Sequence, residues 1–222
     1  MNQISIKKIV GGLITFLTPF VILMLSVRIM ITPVFARIEY SMPNFPEDPF
    51  GFSLEDRLIW SEPSIKYLVN NEGIEYLEDL NFDDGAPVFI ERELSHMQDV
   101  KEVVTGMRIA LTLSLLILLV VTIIGIRKGW RADLMAAYRH GGWALIGLMA
   151  AILLFVAISF QNLFTWFHQL FFESGTWQFY TSDTLIRLFP MKFWQDAFIF
   201  VGVFSLLISG LLIFFTRNRK IN

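Results

Sequence analysis

The chain has 222 residues, of which 55% are hydrophobic and 17% charged, with a formal net charge of −2 and no cysteine. A soluble domain of this size does not carry so much apolar surface, and the mean hydropathy of +0.57 belongs to a membrane protein. The near-neutral charge gives no footprint for nucleic acid. The lack of cysteine excludes disulfides, thiol catalysis, cysteine-ligated metals and lipidation of the chain itself on cysteine, and no glycine-rich phosphate loop or dinucleotide fingerprint is present.

In chain order, four apolar runs reach the roughly 20 residues that a hydrocarbon core of about 30 Å requires. They lie at about 9–35, 103–126, 142–166 and 197–216. Lys7 and Lys8 precede the first run, as in a signal peptide. Its apolar stretch is too long for a signal core and no small-residue cleavage site follows, so it reads as a retained anchor. Lys7 and Lys8, the group Arg127, Lys128, Arg131 and Arg139, and the tail Arg217, Arg219 and Lys220 are short basic segments of the kind kept in the cytoplasm. Four spans with both termini inside satisfy all three, and the acidic segment of about 36–102 then lies outside. Pro43, Pro46 and Pro49 open that segment as irregular chain. Ser53 followed by Asp56 has the form of a helix start, "SIKYLVN" and "IEYLEDL" have helical apolar spacing, and "NFDDGAP" is a turn. The expectation is a small cap of short helices with at most one short strand, lying on the membrane rather than forming a domain of its own. A second outer loop covers about 167–196; its Trp177, Phe179, Tyr180, Phe189 and Trp194 read as interfacial anchors.

Two of the three histidines fall at one height. His96 is 31 residues before Arg127 and His168 is 29 residues after Arg139. At about 1.5 Å per helical residue both rings stand about 43–47 Å above the cytoplasmic charges, at the outer headgroup boundary. Arg92, His96 and Asp99 share one helical face, and Gln161, Thr165 and His168 repeat that spacing on the third span. Glu93 is one turn before His96, so Glu93 or Asp99 is placed to hold the second imidazole nitrogen. Arg28 and Arg108 come out near the same boundary, where polar groups face a bundle interior or snorkel to phosphates. His140, beside Arg139, reads as interfacial and inert. The residues alone define an outward-facing polar site in an all-α, four-helix transmembrane bundle.

Two blocks carry a resemblance. "ERELSHMQDVK" at 91–101, and "FHQLFFESGTWQF" at 167–179 followed by "LIRLFPMKFWQD" at 185–196, are similar to the two histidine blocks of the lipoprotein intramolecular transacylases (Lit) of Gram-positive bacteria. The four-span layout with one large outer loop is similar too. The resemblance implies a membrane acyltransferase whose substrate is a diacylated lipoprotein. One ester-linked acyl chain, at the middle glycerol carbon, would move to the α-amine of the amino-terminal cysteine, giving a lyso-form product. It implies His96 as general base, oriented by Glu93 or Asp99, and His168 as proton or hydrogen-bond donor, with the two roles exchangeable. Arg92 would stabilise negative charge or pair with Glu93. Nucleophile and electrophile belong to one molecule, so the chemistry calls for proximity and proton transfer, with no cofactor and no metal. Membrane lipid surrounds the substrate, and oligomeric state is left open. Two rival readings are a metal-dependent interfacial hydrolase, although no paired H-E-x-x-H spacing exists, and a non-enzymatic membrane sensor or scaffold.

Overall fold

The computed structural model describes residues 3–217. Arg219 and Lys220 of the basic tail lie outside the described residues. Among the described residues the chain forms eight helices: α1 (Gln3–Met30), α2 (Pro33–Tyr40), α3 (Leu54–Tyr67), α4 (Glu75–Glu78), α5 (Glu91–Arg127), α6 (Arg131–Phe171), α7 (Thr184–Leu188) and α8 (Met191–Thr216). Four of them, α1, α5, α6 and α8, are long and apolar enough to cross a membrane. In lipid a helix satisfies every backbone polar group internally, which is why such sequences fold this way. The protein is an all-α, multi-pass membrane protein built on four transmembrane helices with a small cap between the first and second.

The contacts fall into two compact units. The first holds the chain up to Arg28, Arg108–Leu154 and the chain from Phe200 onward. Its packing is that of a bundle. Ile14 and Val21 of α1 meet Leu111 and Leu118 of α5 and Leu134 and Ala137 of α6, while Ile22, Leu145 and Met149 pack with Leu206 and Leu212 of α8. The α5–α6 connection is only three residues long. Gly129 takes φ 75° there, and the N–H groups of Trp130 and Gly129 return to the carbonyls of Gly125 at 2.8 Å and Ile126 at 3.1 Å. This is a Schellman stop, whose left-handed residue favours glycine. Between α1 and α6 the backbones approach closely. Thr15 donates to the Ala137 carbonyl at 3.1 Å, and a Cβ at Gly141 would lie 2.6 Å from Thr18 Cβ. Gly141→Val is therefore expected to force α1 and α6 apart at a cost of about 1–3 kcal/mol, seen as a lower melting temperature in detergent.

The second unit holds Ile29–Met107 and Phe155–Ile199. The chain leaves α1 at Met30 because Pro33 lacks an N–H and biases Thr32 to extended backbone (φ −143°, ψ 146°); Thr32 then caps α2. α3 opens on a full capping box between Ser53 and Asp56, as the sequence suggests. Of "SIKYLVN" only Ser64–Tyr67 is helical, and "IEYLEDL" supplies the single turn α4. No strand forms among the described residues; Asn81 and Pro87 make an isolated antiparallel bridge around a turn in which Gly85 has φ 82°.

Tyr67, Leu77, Val88, Leu94 and Met97 pack with Leu185 and Leu188 of α7, so this core needs residues from before and after the α5–α6 pair. Tyr40 donates to the Leu188 carbonyl at 2.9 Å. Arg187 pairs with Asp48 at 2.8 Å, their side chains 14% and 1% exposed, and the guanidinium lies 3.3 Å from the Phe52 ring centroid. Burial pushes the Asp48 carboxyl up, but the Arg187 hydrogen bond and the Phe52 N–H outweigh it and hold the group below its ordinary value. A carboxyl depressed on folding stabilises the protein above its unfolded pKa and loses that contribution as pH falls through the folded value. Arg187→Met leaves this carboxylate buried and unpaired. It is expected to cost about 3–5 kcal/mol near neutral pH, checked by thermal unfolding, and the deficit should shrink as pH falls and the unpaired carboxyl takes up a proton.

Candidate active site

Glu93 fixes the start of α5, and through it the position of His96. Its Oε2 accepts the Ile90 N–H at 2.9 Å and its Oε1 accepts the Leu185 N–H at 2.7 Å. One carboxylate, 1% exposed, thereby ties the first turn of α5 to the first turn of α7. A negative side chain is favoured at a helix start by the aligned peptide dipoles. His96 follows one turn later and His168 sits in the last turn of α6, each 8% exposed. Their ring centroids are 6.2 Å apart, with the planes 22° from parallel.

The two imidazoles are held differently. His168 Nδ1 is 2.8 Å from the Phe164 carbonyl. A carbonyl only accepts, so Nδ1 carries the hydrogen and the neutral ring presents a lone pair at Nε2. His96 has no such anchor: its Nδ1 is buried and has no hydrogen-bond partner among the described residues. Aromatic side chains hold it instead, with Phe172 at 5.0 Å and Phe179 at 5.3 Å, both edge-on. Phe164 lies 4.0 Å from the His168 ring and Trp177 4.8 Å from it.

The structure thus brings His96 and His168 together but gives the other expected residues different duties. Neither Glu93 nor Asp99 bonds to the second nitrogen of His96: both oxygens of Glu93 serve backbone amides, and half-buried Asp99 forms no hydrogen bond or ion pair among the described residues. Arg92 pairs with Asp183 at 2.5 Å rather than with Glu93. Asp183 Oδ2 also accepts the Tyr180 N–H at 2.7 Å, and the Arg92 guanidinium covers the Tyr180 ring at 4.7 Å, so Arg92 clips the loop that carries Trp177 and Phe179. Gln161 is exposed, Thr165 half-buried, and neither hydrogen-bonds to a histidine; His140 is exposed. Sequence reasoning missed Trp177, which it assigned to the membrane interface. The signal available was its place nine residues after His168, with Gly175 at φ 93° between them to turn the chain back.

A multi-pass helical membrane protein that encloses two imidazoles among aromatic rings has the parts of an acid–base enzyme working next to lipid. The sequence matches the family of the lipoprotein intramolecular transacylase Lit over residues 12–194. It is 32% identical over 214 residues to an uncharacterized protein of Aquifex aeolicus (strain VF5), covering 95% of this chain and 94% of that protein. The fold is similar to the in meso structure of the membrane integral lipoprotein intramolecular transacylase Lit from Bacillus cereus, with a TM-score of 0.82, 21% identity, and coverage of 96% of this chain and 95% of that one. A second structure of that protein, with one histidine replaced by arginine, aligns with a TM-score of 0.76 at 20% identity over 97% of this chain and 92% of that one. The chain belongs to the lipoprotein intramolecular transacylase (Lit) family, and it is a membrane acyltransferase.

Proposed function

We propose that the protein moves the acyl chain ester-linked to the middle glycerol carbon of a diacylglyceryl-cysteine lipoprotein onto the α-amine of that cysteine. The product is the lyso-form lipoprotein, N-acylated and S-monoacylglycerylated. The observation that carries this reading is the enclosed pair His96 and His168, 6.2 Å apart. An α-amine with a pKa of about 7.7–8.0 is largely protonated at neutral pH and must lose a proton to attack an ester. The Phe164 bond to His168 Nδ1 leaves its Nε2 ready to accept a proton, which favours His168 as base and His96 as donor, the exchanged form of the assignment made from the sequence. After loss of its ammonium proton the amine attacks the ester carbonyl carbon and gives its second proton to His168. The tetrahedral centre collapses, the bond to the glycerol oxygen breaks, and His96 protonates that oxygen and recovers a proton from His168. The aromatic walls fold both ends of one substrate toward each other, a gain in proximity that needs no acyl-enzyme.

The basic segments favour a cell-membrane topology with both termini cytoplasmic and the pair at the extracytoplasmic face, where ester, amine and lipid tails of the substrate lie. A diacylated model lipoprotein co-produced with the chain should carry an N-acyl, S-monoacylglyceryl amino terminus by mass spectrometry. An unchanged diacylglyceryl amino terminus in cells that make the chain would overturn the reading. Release of free fatty acid without N-acylation, abolished by a chelator and restored by zinc, would instead favour the hydrolase class.

A further inference from the structure

We propose that the indole N–H of Trp177 is a catalytic hydrogen-bond donor, receiving the ester carbonyl oxygen as it becomes the tetrahedral oxyanion. The inference deepens the transacylase reading above and rests on it. Trp177 Nε1 is buried and has no hydrogen-bond partner among the described residues. An indole nitrogen can only donate, and leaving a buried donor unsatisfied is unfavourable. The cost falls beside the reacting groups: the indole lies 4.8 Å from the His168 ring, and the second unpartnered buried nitrogen of the enclosure is His96 Nδ1.

On this proposal the substrate supplies the acceptor, and the reaction creates one. When the amine nitrogen bonds to the carbonyl carbon, the π pair of the C=O moves onto oxygen. That oxygen needs a preorganised donor shielded from water. Phe164, Phe167, Phe172 and Phe179, the other rings around the pair, have none to offer. Arg92, the cation that the sequence offers for this role, is engaged with Asp183. The indole hydrogen-bonds the oxyanion while it exists and is released unchanged when the C–O bond to glycerol breaks and the C=O re-forms.

The test uses the full-length protein in mixed micelles with a diacylated lipopeptide. Trp177→Phe keeps an aromatic ring and removes the donor. Benzothienylalanine at position 177 keeps the indole shape and exchanges N–H for sulfur. Both are expected to lower kcat about 10²–10³-fold while KM stays within about two-fold, the signature of a donor used in the transition state. The sulfur analogue retaining near-wild-type kcat would overturn the proposal, as would a loss confined to KM. His168→Ala run alongside separates the two levels of inference. If that variant is inactive while the sulfur analogue turns over normally, the transacylase reading stands and the role of Trp177 falls. If the histidine variant is fully active, the acid–base reading itself falls.

Discussion

His168→Ala is expected to lower the rate of N-acylation by about 10²–10⁴-fold, the range that a positioned acid or base supplies. The alanine cannot take the amine proton, and the Phe164 carbonyl it exposes is no substitute, because a carbonyl oxygen is a far weaker base than an imidazole. His96→Ala should fall in the same range. The two rings are 6.2 Å apart and on the proposed mechanism share one proton circuit, so their losses should not add. Residues that act as a unit cost nearly as much singly as together. The double variant should therefore be little worse than either single one. Amino-terminal mass spectrometry of the lipoprotein gives the product ratio, and a melting curve for each variant in detergent separates loss of chemistry from loss of fold. Strictly multiplicative losses would mean that the rings work independently; unchanged product from both single variants would remove them from the mechanism.

Glu93→Ala should be among the most damaging changes to the second unit. It removes the acceptor for two buried backbone N–H groups at once, those of Ile90 and Leu185. Each orphaned donor costs about 1–3 kcal/mol, and the vacated space adds a cavity cost, for a loss of about 3–5 kcal/mol. Glu93→Gln is the sharper probe. One oxygen survives, but the amide NH₂ now meets an N–H where an acceptor is required, so stability should fall while the folded fraction keeps its turnover number. A carboxylate that orients the imidazole would behave in the opposite way, with the pH–rate profile moving and the melting temperature not. Thermal unfolding together with a pH profile of kcat distinguishes the two.

These residues also show what the sequence could and could not reveal. The four spans were legible because a bilayer demands about 20 apolar residues in a row, and nothing else in a chain of this size does. Ser53 and Asp56 announce the start of α3 because a capping box is local. The meeting of His96 and His168 was foreshadowed by counting helical rise from fixed basic residues, even though α6 kinks at Ser159 (φ −159°, ψ 76°) between Arg139 and His168. The partners of Glu93, Arg92 and Trp177 were not legible, because all depend on how the loop after α6 folds back. Glu93 and Leu185 are 92 residues apart, and Arg92 and Asp183 are 91 apart. A helical face lists neighbours one turn away and is silent about chain that returns from elsewhere. A tryptophan near a helix end looks the same whether it faces headgroups or a buried imidazole.

The long-range ties of the cap have a consequence for biosynthesis. Asp48 and Arg187 are separated by 139 residues, and Tyr40 and Leu188 by 148. At a translation rate of about 5–20 residues per second, the early half of this core waits about 7–30 s for its later half. Through that interval the nascent segment carries an uncompensated carboxylate at Asp48 and apolar side chains with nothing to cover them. Only the arrival of α7 completes this core, so the ribosome must finish most of the chain before the enclosure around His96 and His168 can be held together.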